Sequence, residues 1–303
     1  MNPNRPWGTA GVDVTNHTNV ALAMEEAGAL FSVEVRPAYS KIVDTYHEAG
    51  GYNLITRGDS GEVLGMCKGR FVPLQNTVLV DIVQPLISSG KARLDTIGVL
   101  GNGEKVWMLV ELQNHRYSIV KGDEVTTYLL LVNGHDGSTS VMVGVVPFRL
   151  WCSNMLPKVG KKMIKFKHTA NAEEMLAFFK MKVMGVLDLT GEYASQLHML
   201  TMFKPNGFDN LDAYFRNLFG MGKGELPTRT RNKLNRLHEL FLKGQGCDIN
   251  LVAGTWYAAL NAVTEYLNYE AGRSNESRLN SLWFGPNCDI SDTALSLALK
   301  ECH

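Results

Sequence analysis

The sequence lacks most of the signatures that announce a chemistry. It has no Cys-x-x-Cys pair, no His-x-x-x-His or His-Glu-x-x-His arrangement, no Gly-x-Ser-x-Gly elbow and no Gly-x-x-x-x-Gly-Lys-Ser/Thr loop, which removes the usual zinc, serine-hydrolase and nucleotide-triphosphate sites from consideration. Its five cysteines, Cys67, Cys152, Cys247, Cys288 and Cys302, are odd in number and widely spaced, so a disulfide framework is not expected. Reduced thiols in a cytoplasm are the simpler expectation. Met1 to Ala10 is polar and proline-bearing, without the charged patch and apolar run of a secretory signal. No apolar stretch approaches the roughly 20 residues of a membrane helix, and no membrane partner is expected. Net charge is also absent, with 30 basic against 30 acidic residues.

What is present is a chain of 303 residues, 45% hydrophobic, long enough to bury a sizeable core without staples. Its charges are segregated. Residues 1–136 hold 11 basic and 15 acidic groups, residues 137–245 hold 16 and 8, and residues 246–303 hold 3 and 7. From Gly137 to Ala172 there is no acid at all, while Arg149, Lys158, Lys161, Lys162, Lys165 and Lys167 all occur.

Thr18 or Asn19 caps a short helix through Ala27. Phe31 to Arg36 alternates as a strand ending at Pro37, and Tyr52–Arg57 with Glu62–Lys68 forms a hairpin over Gly58-Asp59-Ser60-Gly61. Asn76 to Ser89 has helical spacing despite Pro85. The clearest hairpin joins Arg93–Leu100 to Glu104–Leu112 across Gly101-Asn102-Gly103, because glycine and asparagine tolerate positive φ. Val125–Val132 and Thr139–Val146 follow as strands, and Lys162–Lys167 reads as a last one. Beyond Asn171 helical spacing dominates: Ala172 to Phe203, Phe208–Phe219, Thr228–Lys243, Leu251–Tyr269 and Ser291–Lys300. The expected fold class is α+β, with an antiparallel β-rich part over residues 1–170 and a helical part over 171–303 packed on it.

Two constellations stand out. His135-Asp136-Gly137-Ser138 holds a base, a carboxylate and a hydroxyl, the parts of hydrolytic chemistry, but neighbouring side chains in a tight turn diverge. The plainer reading is a structural turn, in which Asp136 accepts from backbone N–H groups and Gly137 supplies positive φ. No catalytic residue, metal or cofactor is assigned, and an enzyme is the less favoured reading. The second constellation is basic. Lys158, Lys161, Lys162, Lys165 and Lys167 lie close together, and an extended segment puts Lys165 and Lys167 on one face. Arg229, Arg231, Lys233 and Arg236 surround the start of a helix whose apolar face is Leu234, Leu237, Leu240 and Phe241. Cations there oppose the macrodipole, so helix stability does not explain them. A solvated face is the bland alternative; a phosphate backbone is the sharper one.

Trp7-Gly8, Pro73-x-Gln75-Asn76, Thr96-x-Gly98, Trp107, Gly122-Asp123, His135-Asp136-Gly137-Ser138, Arg149-x-x-Cys152-x-Asn154-x-Leu156 and Thr255-Trp256 through Tyr266 occur in an order that resembles the phage/plasmid-like family called domain of unknown function 932. Leu150-Trp151 departs from the smaller β-branched residues expected there. The resemblance implies a mobile-element origin and no activity. The β-then-α order loosely resembles the Rad-type single-strand annealing proteins, which implies an oligomer gripping one strand by its phosphates. The resulting expectation is a non-enzymatic, homo-oligomeric single-stranded nucleic-acid-binding protein of a bacterial host's cytoplasm, serving phage or plasmid recombination or replication. Arg149, Lys158, Lys161, Lys162, Lys165, Lys167, Arg229, Arg231, Lys233 and Arg236 would be its contacts. A protein-interaction factor that self-assembles or antagonises a host system is the alternative.

Overall fold

Gly101-Asn102-Gly103 turns the chain between β5 (Ala92–Leu100) and β6 (Lys105–Val120), with Gly101 at φ +65 and Gly103 at φ +131, as the sequence predicts. The computed structural model describes residues 5–69, 71–150, 153–166, 168, 177, 181–182, 185 and 188–302, the side chains of 160–162 excepted. β5 and β6 belong to an antiparallel sheet of order β1-β5-β6-β7-β8-β10, completed by β1 (Val12–Asp13), β7 (Asp123–Gly134), β8 (Val141–Arg149) and β10 (Val159–Phe166), with β9 (Asn154–Met155) paired to β8. A second antiparallel sheet holds β2 (Val33–Ile42), β3 (Thr45–Arg57) and β4 (Val63–Lys68) in that order.

Every residue of β8 is buried, because both faces of the large sheet are covered. Trp107 on β6 packs against Trp283 with ring centroids 4.9 Å apart. Gly98 on β5 makes room for that indole, since a Cβ there would lie 2.5 Å from it. The opposite face meets α2 (Thr77–Ser88) through Asn133 and Asn76. The remaining helices are α1 (Val20–Glu26), α3 (Thr190–Met202), α4 (Gly207–Leu218), α5 (Thr228–Lys243), α6 (Trp256–Glu265) with a π turn at Tyr266–Glu270, α7 (Asn275–Phe284) and α8 (Pro286–Lys300). The antiparallel strands thus occupy the N-terminal part and α3–α8 the C-terminal part. Buried side chains from both parts form one continuous hydrophobic cluster.

Several elements depart from the sequence reading for identifiable reasons. Pro37 does not end β2, which runs to Ile42 as an edge strand whose register against β3 shifts between Pro37 and Tyr39; an edge strand tolerates the missing N–H. The helix expected from Leu251 starts at Trp256, where the Thr255 hydroxyl accepts from the Ala258 N–H at 3.3 Å. α7 was not foreseen, and α8 starts at Pro286 rather than Ser291, with proline in its first turn. Of the helix read over 172–203, the structure describes Thr190–Met202; most of 172–187 lies outside the described residues. Among the described residues no helix is long and apolar enough to cross a membrane.

Candidate nucleic-acid interface

Helix α5 buries Leu234, Leu237 and Leu240, a spacing that fixes which residues form the stripe beside them. Arg229, Lys233 and Arg236 fall one turn apart on it, and all three line a cleft of 630 Å³. The floor of the cleft is aromatic. The Lys233 ammonium stands 5.0 Å from the centroid of Phe219 and 6.0 Å from that of Tyr266, within the range of cation–π attraction. Tyr266 opens the π turn and Glu270 closes it; the wider turn aims both at α5, a geometry that recurs at functional sites. Ser277 and Ser281 of α7 and Asn287 and Ile290 of α8 form the far wall.

The three cations are not equivalent. Arg236 donates to both oxygens of Glu270 at 2.8–3.0 Å and to Glu239 at 2.7 Å, and these bonds raise its pKa. Its charge is spent inside the protein. Arg229 and Lys233 have no ion pair among the described residues. Burial, and then the neighbouring Arg229 charge, lower the Lys233 pKa, so the protein holds two like charges together at a cost. The first turn of α5 carries no acidic residue, and the macrodipole adds to the positive potential there.

The other basic residues are elsewhere. Arg231 turns to Glu225 and to the Leu226 carbonyl, at 3.2 and 3.1 Å. Lys158 is bonded to Asp292 and lies 3.3 Å from the Cys288 sulfur. It lines a separate cavity of 510 Å³ with Tyr193 and Leu189. Cys288 and Asp292 sit on one stripe of α8 while Asn287 and Ile290 on the next stripe face the basic cleft, so the start of α8 joins the two places. Lys165 is exposed on β10, opposite Met142. The side chains of Lys161 and Lys162, and the whole of Lys167, lie outside the described residues.

Arg149 is a correction. It is fully buried, and its Nε donates to both oxygens of Asp123, itself fully buried, at 2.7 and 2.8 Å. The guanidinium also lies 5.2 Å from the Tyr257 ring and donates to the Gln245 and Gly246 carbonyls at 3.3 and 3.4 Å. A group so enclosed holds β7 and β8 to the helical part and is out of reach of a strand in solvent.

The His-Asp-Gly-Ser segment is a tight turn in which Asp136 and Ser138 bond to each other and His135 diverges from both. The Asp136 carboxylate accepts from the Ser138 and Thr139 N–H groups at 2.8 and 2.6 Å, from both their hydroxyls, and from Lys105. Burial alone would raise its pKa; these bonds outweigh it and hold it well below the usual carboxylate range. Gly137, at φ +79, brings the turn against the Met66 carbonyl of β4. His135 points inward. Its Nε2 donates to Asn76 Oδ1 at 2.8 Å, and Asn133 donates to the same oxygen at 3.0 Å. His168 stands near it with ring centroids 6.2 Å apart, stacked on Phe71 and accepting from the Leu74 N–H through Nδ1. Burial, then His168, push the His135 pKa down to about 3. The carboxylate and the hydroxyl therefore meet, while the base turns away from both. Among the described residues no cluster of three or more His, Cys, Asp or Glu side chains could hold a metal ion.

Sequence reasoning found the cations of α5 but not their companions. Phe219, Tyr266, Glu270 and the polar wall of α7 and α8 come from separate helices, and the π turn that presents two of them has no signature in the sequence. A family model described as "Domain of unknown function (DUF932)" matches residues 63–283, a span from the start of β4 to Trp283 of α7 that includes Arg149, the inward histidine and α5. No curated protein matches the chain, and no solved structure does.

Proposed function

The chain belongs to the domain of unknown function 932 family, and from that premise we propose that it is a non-catalytic nucleic-acid-binding protein that grips a single strand through the α5 cleft. The observation that carries the reading is the pair Arg229 and Lys233, adjacent and without ion-pair partners among the described residues, set in a concavity floored by Phe219 and Tyr266. Each phosphate a cation neutralises releases condensed counterions, and aromatic floors suit unpaired bases of any sequence. Exposed Lys165 on β10 is a further cation outside the cleft. In its finer form the reading is strand annealing for phage or plasmid recombination in a bacterial cytoplasm.

The test is fluorescence anisotropy with single- and double-stranded oligonucleotides across a salt series. Tight single-strand binding is expected to weaken steeply with salt. Replacing Arg229 and Lys233 together by alanine is expected to reduce the slope of log K against log salt by about 1.4, at roughly 0.7 per lost phosphate contact on a single strand. Unchanged affinity and slope in that variant would overturn the assignment.

One observation favours the second reading, a self-assembling interaction factor. The distal part of the β2–β3 hairpin exposes Tyr39, Ile42, Val43 and Tyr46, with Val43 at 87%. Two-stranded hairpins are marginal in water on their own, and such a cluster marks contact surfaces. On this reading, sizing at low and high salt without nucleic acid gives an oligomer that Tyr46→Lys with Val43→Lys disperses. A monomer at both salts excludes it.

A further inference from the structure

The cleft has the volume and the lining to seat one nucleotide at the end of a strand, and we propose that it is a terminal-phosphate site that also takes a free nucleoside 5′-monophosphate. The inference rests on reading Arg229 and Lys233 as a phosphate-binding pair. Its first support is a charge count. Arg236 is engaged by Glu270, the one acid lining the cleft among the described residues, and by Glu239 outside the lining, while Arg229 and Lys233 have no ion-pair partner among the described residues. An internal phosphodiester offers a single negative charge. A terminal phosphate monoester carries about −1.5 to −2 at pH 7 and three acceptor oxygens, which matches the pair.

The second support is the remainder of the lining. Beyond the cations the walls are neutral and polar, from Thr230, Asn232, Ser277, Ser281 and Asn287. Hydroxyls and carboxamides both donate and accept, as a sugar and the edge of a base require. Tyr266, Leu267 and Ile290 give an apolar surface for the face of a base. The third is size. At 630 Å³ the cleft falls within the roughly 300–1,000 Å³ of sites that enclose small molecules. Polar walls around a cationic end are what a phosphorylated nucleoside needs, and an inorganic anion would leave them unused.

The experiment is calorimetric titration of the full chain with adenosine 5′-monophosphate, ribose 5-phosphate, adenosine and inorganic phosphate, with displacement of a labelled oligonucleotide as a second readout. Adenosine 5′-monophosphate is expected to bind at least about tenfold more tightly than each of the other three, since a charge-assisted contact or a stacked base is worth about that factor. It should displace the strand, and Arg229→Ala and Lys233→Gln, both away from the core, should each weaken it roughly tenfold. If the oligonucleotide binds and adenosine 5′-monophosphate neither binds nor displaces it, this inference falls and the nucleic-acid reading stands. If the monophosphate binds with the expected losses in both variants while no oligonucleotide binds, the inference stands and that reading falls. Binding that is equal for adenosine and its monophosphate, or unaltered in Arg229→Ala, overturns the terminal-phosphate site.

Discussion

Replacing Arg149 by alanine is expected to cost about 3–5 kcal/mol of folding stability, the range found when one partner of a buried ion pair is removed and the other charge is stranded. The stranded group is Asp123, fully buried and bonded by Arg149 through both oxygens. The Gln245 and Gly246 carbonyls that accept from the guanidinium lose those donors as well. The loop that supplies them is built around this side chain: Gly246 sits at φ +77, and a Cβ there would lie 2.7 Å from the Arg149 Nη2. Urea unfolding should show the loss as a lower midpoint. Arg149→Lys keeps a charge but not the planar fork and should fall between the two. The double variant Arg149→Met with Asp123→Leu should recover much of the loss, because no charge is left buried. An Arg149→Ala protein within about 0.5 kcal/mol of the parent, the scatter of ordinary surface changes, would contradict the account.

The same residue shows where sequence reading stops. From Gly137 to Ala172 the chain has basic residues and no acid, which reads as a continuous positive surface. The partners are remote in sequence. Asp123 lies on the neighbouring strand, 26 residues before Arg149, and Asp292 lies 134 residues after Lys158. A charge run reports local composition, whereas its neutralisation depends on which strand or helix comes alongside. Local features were legible for the complementary reason. The Gly101-Asn102-Gly103 hairpin, the Asn19 cap and the apolar stripe of α5 are set by residues within a turn or two of one another. The outward reach of β2 and β3 past Pro37 was not, since an edge strand relaxes the rule that makes proline a stop.

The cleft on α5 lies between these cases. Its cations were conspicuous because they stand at the wrong end of a helix dipole, a contradiction visible in sequence alone. That contradiction points to an anion but says nothing of shape. Shape came from Phe219 at the end of α4, the π turn after α6 and the first turn of α8, three places whose meeting depends on the packed core. Arg236 and Arg231 show the converse. They have the same spacing signal as Arg229 and Lys233, and structure assigns their charges to Glu270 and Glu225.

Acid should weaken the protein before Asp136 titrates, and His135 sets the window. Its pKa is about 3 in the fold against an ordinary value of 6.5. The reason is geometric: Nε2 donates to Asn76, and the buried Nδ1 has no partner among the described residues, so a second proton would need an acceptor that the core does not offer. Because the folded pKa is depressed, the unfolded chain binds a proton that the folded chain refuses between pH 6.5 and about 3. Stability is therefore at its full value above about pH 6.5 and falls as the pH drops, by at most about 1.4 kcal/mol per pH unit for this one group. Across the whole window that reaches about 4–5 kcal/mol. His168 is shifted in the same direction by burial and steepens the fall. Asp136, also depressed, adds its loss only at lower pH, whereas Glu265 and Asp292, whose pKa values burial raises, take up protons in the fold first and work in the opposite direction, so a comparison with a His135 variant is what isolates the imidazole. Urea midpoints taken across that window should decline for the parent chain and decline less steeply for His135→Gln, which keeps a donor toward Asn76 but cannot take up a proton. Equal slopes in the two proteins would mean that the buried imidazole is not the group that senses acid.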